Sequence, residues 1–128
     1  HPDHYRASEM GYEACFLAGL RKLEEETEPH RPFKIIYSSL YANVTPSFVV
    51  DISRQFERRM QALFSYVSQY GDVETASGLF PSHVEVEERL AAIARFSGIL
   101  IGVIFGEAFV VIDAIQIEDI VNMPVRSI

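Results

Sequence analysis

The residues best suited to chemistry stand together at the start of the sequence, as His1-Pro2-Asp3-His4. Two imidazoles three residues apart at the start of a helix point to the same side, and a carboxylate between them can hold a ring nitrogen in one tautomer. This arrangement is typical of a metal ligand with an orienting neighbour. The same residues are also compatible with a simple polar helix start, in which Asp3 lies at the favourable end of the helix dipole. The spacing alone leaves both interpretations open.

Further ligands for a metal are scarce in the sequence. A zinc site needs three or four ligands, and the other histidines are His30, in a turn flanked by prolines, and His83, at a predicted helix start. We predict that both are surface residues rather than ligands. Cys15 falls at an apolar place in a helical pattern and is interpreted as a buried small hydrophobe rather than a reactive thiol.

The elements that must position the His-Pro-Asp-His cluster follow from hydrophobic periodicity and from breaker residues. Apolar residues at three- and four-residue steps predict a helix from about Pro2 to Glu26, with the cluster in its first turn. The other predicted elements are strands at 33–38 and 47–52, a helix capped by Ser53 and ending near 71, a loop at 71–80, a helix over 82–100 with a capping box at Ser82, and a strand at 108–112. The apolar run 99–105 is ambiguous between a helix end and a strand.

This order of elements predicts an α/β protein built in layers. Strands as apolar as residues 33–38 are typical of a sheet that is covered on both faces. Two or three strands do not complete such a sheet. We therefore expect residues 1–128 to form a single partial domain, whose sheet is completed by residues outside this sequence.

Composition limits the classes of partner. The 128 residues are 48% hydrophobic, enough for a core, and 18 acidic against 11 basic residues give a net charge of -7. That charge repels phosphate backbones, so nucleic acid is not an expected partner. The longest apolar run is far shorter than the roughly 20 residues of a membrane span. A single cysteine allows no intrachain disulfide, which favours a reducing compartment and hence the cytoplasm.

Several longer segments resemble one known family. They are 1–4 (HPDH), 6–8 (RAS), 16–22 (FLAGLRK), 29–32 (PHRP), 46–53 (PSFVVDIS), 68–70 (SQY), 102–103 (GV) and 106–109 (GEAF). Together they cover nearly the whole chain in family order and resemble the second half of LmbE/PIG-L proteins, most of all the deacetylases of bacillithiol biosynthesis. The resemblance implies the C-terminal half of a Rossmann-like sheet with helices on both faces.

The resemblance also implies a role for each residue of the cluster. His4 matches a zinc ligand of the family. His1 matches a histidine that stabilises the developing oxyanion or shuttles a proton, and Asp3 matches the aspartate that holds it. The implied reaction is zinc-dependent hydrolysis of the acetamide of an N-acetylglucosamine conjugate, such as a malate conjugate, with acetate and an amine as products.

The family's other motif, His-Pro-Asp-Asp, does not occur in this sequence. In the family it supplies two more zinc ligands and the general base, so we expect the chain to be inactive by itself. It would act with a missing N-terminal half or with another chain. The alternative is a non-catalytic interaction module that keeps the fold without the chemistry. We also expect a homo-oligomer or pairing with the missing half, because truncated strand edges and an apolar helix are unfavourable in water.

Overall fold

A computed structural model of the protein describes residues 2–23, 26–38, 43–70 and 81–125. Its elements are α1 (Pro2–Leu17), β1 (Tyr37–Ser38), β2 (Phe48–Asp51), α2 (Phe56–Phe64), α3 (Val67–Tyr70), α4 (His83–Ile101) and β3 (Gly106–Val110). The mixed α/β class is therefore confirmed. The Rossmann-like layering, with helices on both faces of the sheet, stays a prediction.

The chain divides into two compact units, residues 1–37 and 38–128. The expected single partial domain concerns a larger polypeptide and stays a prediction. The loop predicted at 71–80 lies outside the described residues.

In the first unit, α1 begins at Pro2 as predicted but ends at Leu17 rather than near Glu26. Beyond it the backbone tightens into i→i+3 hydrogen bonds, such as that from the Leu20 N–H to the Leu17 carbonyl, at 2.9 Å. The guanidinium of Arg31 then lies 5.1 Å over the Phe16 ring. A Cβ on Gly19 would lie 2.5 Å from Nε of Arg31, so the absence of a side chain at Gly19 leaves room for the Arg31 guanidinium. The local apolar periodicity beyond Leu17 predicted a longer helix because it does not record this tertiary contact.

The three strands form one sheet in the order β1-β3-β2. Strands β2 and β3 are antiparallel, with Phe48 opposite Phe109 and Asp51 opposite Gly106. The Phe48 and Phe109 rings stack with their centroids 5.3 Å apart, as expected for an aromatic pair directly across a ladder. The strand predicted at 47–52 is thus confirmed within one residue at each end, whereas that predicted at 33–38 is reduced to Tyr37–Ser38.

Ser53 does not cap α2, contrary to the prediction. Its hydroxyl donates to Oδ1 of Asp51, at 2.6 Å, and accepts from the backbone N–H of Phe105, at 3.1 Å. The residue at the N-cap is Gln55, whose side chain makes no capping hydrogen bond. An N-cap serine would accept from a backbone N–H of the first helical turn. Here the Ser53 oxygen accepts from Phe105 and its proton is donated to Asp51, so the side chain is engaged with the strands instead.

The helix predicted to run from Phe56 to about Gly71 is divided into α2 and α3. The division lies at Ser65, whose hydroxyl donates to the Ala62 carbonyl, at 2.7 Å. A serine that bonds back to the preceding turn competes with the helical ladder, and this accounts for the interruption.

Helix α4 confirms the predicted capping box. The Ser82 hydroxyl accepts from the Glu85 N–H, at 3.3 Å, while the Glu85 carboxylate accepts from the Ser82 N–H, at 2.7 Å. The ambiguous run 99–105 contains a helix end and no strand: it finishes α4 at Ile101, and Gly102, with φ of 73°, then turns the chain toward β3. β3 begins at Gly106, two residues earlier than predicted.

The core of the second unit is small. Its buried residues Ile52, Phe56, Met60 and Ala94 form one cluster, and the Phe56 and Phe105 rings stack with centroids 4.0 Å apart. α4 packs against both β2 and β3. None of the helices in the described part of the chain is long and apolar enough to cross a membrane.

Candidate functional site

The candidate site is the first turn of α1, which carries two members of the predicted cluster. Asp3 and His4 are both exposed on this turn. The carboxylate of Asp3 lies in the first turn, where the positive end of the helix dipole favours an anion. Pro2 opens the helix at a place where its missing N–H costs no hydrogen bond. His1, the third member, lies outside the described residues.

The next residues of α1 form a polar network beside the cluster. Nη1 of Arg6 lies 2.8 Å from Oε2 of Glu9, and the same guanidinium lies 5.5 Å over the Tyr5 ring. A hydrogen bond to Glu9 and the negative charge of that carboxylate raise the pKa of Tyr5 above its ordinary value. The phenol is therefore held in its neutral form, as a hydrogen-bond donor.

The helix that carries the cluster presents large apolar side chains to solvent. None of the residues of α1 is buried, and Met10 is 67% exposed and Phe16 56%. A helix that is stable in a protein buries an apolar stripe against another element. Among the described residues, the apolar side chains of α1 therefore remain largely uncovered.

The other two histidines of the sequence were predicted to be surface residues. His30 is exposed, and its backbone N–H donates to the Ala18 carbonyl, at 2.9 Å. His83 is also exposed, and its ring stacks on Phe64 with the centroids 3.4 Å apart. Both agree with the prediction of surface residues. Cys15 is half-buried rather than fully buried.

Within the described ranges, no group of three or more His, Cys, Asp or Glu side chains is arranged to hold a metal ion. A zinc site needs at least three protein ligands. The described residues therefore do not fit a complete zinc site by themselves, and any metal at this turn would need ligands from elsewhere.

Sequence reasoning missed one polar pair in the second unit. Nη2 of Arg59, on α2, lies 3.4 Å from Oε1 of Glu107, on β3, and both side chains are about a quarter exposed. The pair borders a small cleft lined also by Leu90, Ile93, Ala94, Ser97, Gly106 and Ala108. No pattern in a single sequence connects Glu107 with Arg59.

No protein-family model matches this chain. The resemblance to LmbE/PIG-L proteins therefore rests on the sequence segments quoted above.

Proposed function

We propose that this chain supplies part of the site of a zinc-dependent N-deacetylase acting on an N-acetylglucosamine conjugate, such as a malate conjugate. The observation that supports it is the placement of Asp3 and His4, exposed together on the first turn of α1. An imidazole at an open helix end is accessible to a metal whose other ligands come from a separate segment. A cluster buried in the core would not be accessible in this way.

Each residue of the cluster has a separate task in this proposal. His4 binds the metal through a neutral ring nitrogen. Asp3 accepts a hydrogen bond from an imidazole N–H and so fixes the tautomer and orientation of the ring. His1 holds or moves a proton at the acetamide during its hydrolysis to acetate and an amine.

The remaining ligands and the general base would come from polypeptide outside these 128 residues, either an N-terminal half or another chain. The exposed apolar surface of α1 supports this, because Met10 and Phe16 are both more than half exposed. The acidic composition disfavours a polyphosphate substrate. The single cysteine favours action in the cytoplasm.

Amine release from an N-acetylglucosamine conjugate tests the activity. The assay compares the 128-residue chain with the natural gene product that contains it. The chain alone should be inactive and the natural product active. Asp3→Asn should lower activity roughly 10- to 100-fold, as loss of an orienting partner does, whereas His30→Ala, at an exposed histidine outside the cluster, should leave it unchanged. Equal activity of all variants would contradict the proposal.

A second function is favoured by one observation, the absence of a metal-binding group among the described residues. A non-catalytic interaction module would keep the fold and use the exposed apolar surfaces to bind other proteins. It predicts that the natural gene product releases no amine and that its partner binding is indifferent to Asp3→Asn.

A further inference from the structure

Helix α4 is apolar on two sides over its last three turns. Its inner side is buried through Ala94, Ser97 and Gly98 against the rest of the second unit. Its outer side exposes Phe96, at 48%, and Ile99, at 75%. A helix that is hydrophobic all round is normally covered on every side.

The outer side follows a regular spacing over most of the helix. Val84, Glu88, Ala92, Arg95 and Ile99 are all exposed and follow one another at steps of three or four residues. We call these five residues the outer stripe. Steps of three and four keep side chains on one face of a helix. From Val84 to Ile99 the stripe is about 22 Å long, at about 1.5 Å of rise per residue.

The outer stripe is complementary to itself when it is read in the opposite direction. Val84 and Ile99 are equally far from a point between Ala91 and Ala92, and Glu88 and Arg95 are equally far from the same point. A second α4 turned end for end about this point therefore places valine against isoleucine and glutamate against arginine, each pair twice. The small Ala92 side chain lies nearest the crossing and allows the two helices to approach closely.

The two charges of the stripe are available for such pairing. Among the described residues, neither Glu88 nor Arg95 takes part in an ion pair within the chain, and both are exposed. The guanidinium of Arg95 lies 5.0 Å over the Phe105 ring. This contact holds the arginine at the flank of the helix, so less side-chain entropy is lost when it meets a carboxylate.

We propose that the outer stripe of α4 is a two-fold interface with a second copy of this chain. Closed two-fold contacts use the same patch on both subunits, so each residue and its partner exchange roles across the axis. The charge pairs fix the antiparallel direction, because a parallel arrangement would place like residues opposite each other. The inference concerns α4 alone and is independent of the proposed deacetylase site.

Charge reversal tests this geometry. Glu88→Arg leaves two arginines on each stripe, and Arg95→Glu leaves two glutamates. In multi-angle light scattering the wild-type chain should approach twice its mass of 14.5 kDa with rising concentration. Each variant alone should stay at the monomer mass, because like charges would meet. An equimolar mixture of the two variants should recover the dimer mass, since every pair is then of opposite charge.

Each other outcome overturns the proposal. A wild-type chain that stays monomeric, variants that dimerise as well as wild type, or a mixture that stays monomeric would show that another surface or another partner covers α4. Circular dichroism controls for folding, because both positions are exposed but Arg95→Glu also removes the contact of the guanidinium with the Phe105 ring.

A cysteine cross-link gives an independent measurement of the axis. In a Cys15→Ser background, Ala92→Cys should form a disulfide-linked dimer under mild oxidation, because the two copies of residue 92 lie nearest the axis. Glu87→Cys is the matched control: it is equally exposed but lies on a different side of α4. Equal cross-linking at both positions would indicate random collision and would contradict the interface.

Discussion

Hydrogen bonds of Asp51 and Ser53 connect the end of β2 with Phe105, the residue before β3. Oδ1 of Asp51 accepts from the Ser53 N–H, at 2.9 Å, and from its hydroxyl, at 2.6 Å. The Ser53 hydroxyl oxygen in turn accepts from the Phe105 N–H, at 3.1 Å. These hydrogen bonds from Ser53 hold the pKa of Asp51 below its ordinary value, because they favour the charged carboxylate.

Asp51 should therefore make stability depend on pH at acid values. Its contribution is fully present above the ordinary carboxyl pKa of an unfolded chain, and it is lost as pH falls through the lowered pKa of the folded state. Asp51→Asn keeps an acceptor oxygen but cannot titrate. Urea unfolding between pH 7 and 3 should show a steeper loss of stability for wild type than for Asp51→Asn. Parallel curves for the two proteins would contradict this role.

At Gly98 the backbone segment that follows α4 packs closely against the helix. A Cβ at this position would lie 2.6 Å from the Val103 carbonyl oxygen and 3.0 Å from that of Ile104. Because both neighbours are backbone atoms, they do not move aside at low cost. We expect Gly98→Ala to lower the free energy of unfolding by about 1–3 kcal/mol, the usual cost of overpacking.

Gly11 provides the control for that substitution. It lies within α1, and a Cβ there meets nothing within 4 Å. Gly11→Ala should leave stability unchanged or raise it by about 0.5–1 kcal/mol, because alanine loses less backbone entropy in a helix. Equal effects of the two substitutions in urea unfolding would show that the close approach at Gly98 is not what matters.

At the scale of elements, the start of α4 is fixed by hydrogen bonds in its first turn. The Ser82 N–H and hydroxyl both donate to the Glu85 carboxylate, at 2.7 and 2.8 Å, and lower the pKa of Glu85. Ser82→Ala should cost about 1 kcal/mol of stability, as the loss of an N-cap generally does. Ser82→Thr, which keeps the hydroxyl, should retain most of it. Chemical unfolding of the three proteins measures the difference, and equal stabilities would contradict the capping role.

Elements with local signals were predicted well, and those shaped by distant contacts were not. The start of α4 is determined by the capping box of Ser82 and Glu85, which spans four consecutive residues. The chain beyond the end of α1 is held by the contact of Arg31 with Phe16. The Ser53 hydroxyl is bound by the N–H of Phe105, more than 50 residues away. Hydrophobic periodicity contains no information on either contact. For this reason the predicted α1 was too long, and the N-cap position of α2 was assigned to Ser53 rather than to Gln55.

At the scale of the whole molecule, residue types could identify the candidate site but could not complete it. Asp3 and His4 lie in the first turn of α1, where the periodicity placed the start of a helix. The shared side predicted for His1 and His4 stays a prediction, because His1 lies outside the described residues. The proposed function requires contacts of α1 with polypeptide that supplies the other metal ligands. One sequence holds no signal for such contacts.

The central claim is that His4 binds zinc in a site shared with other polypeptide. Its most direct measurement is the zinc content of the natural gene product that contains this sequence, by plasma mass spectrometry, for wild type, His4→Ala and the control His30→Ala. We expect about one zinc per chain in wild type and in the control, and loss of the metal in His4→Ala. Equal zinc in all three proteins, or none in wild type, would contradict it.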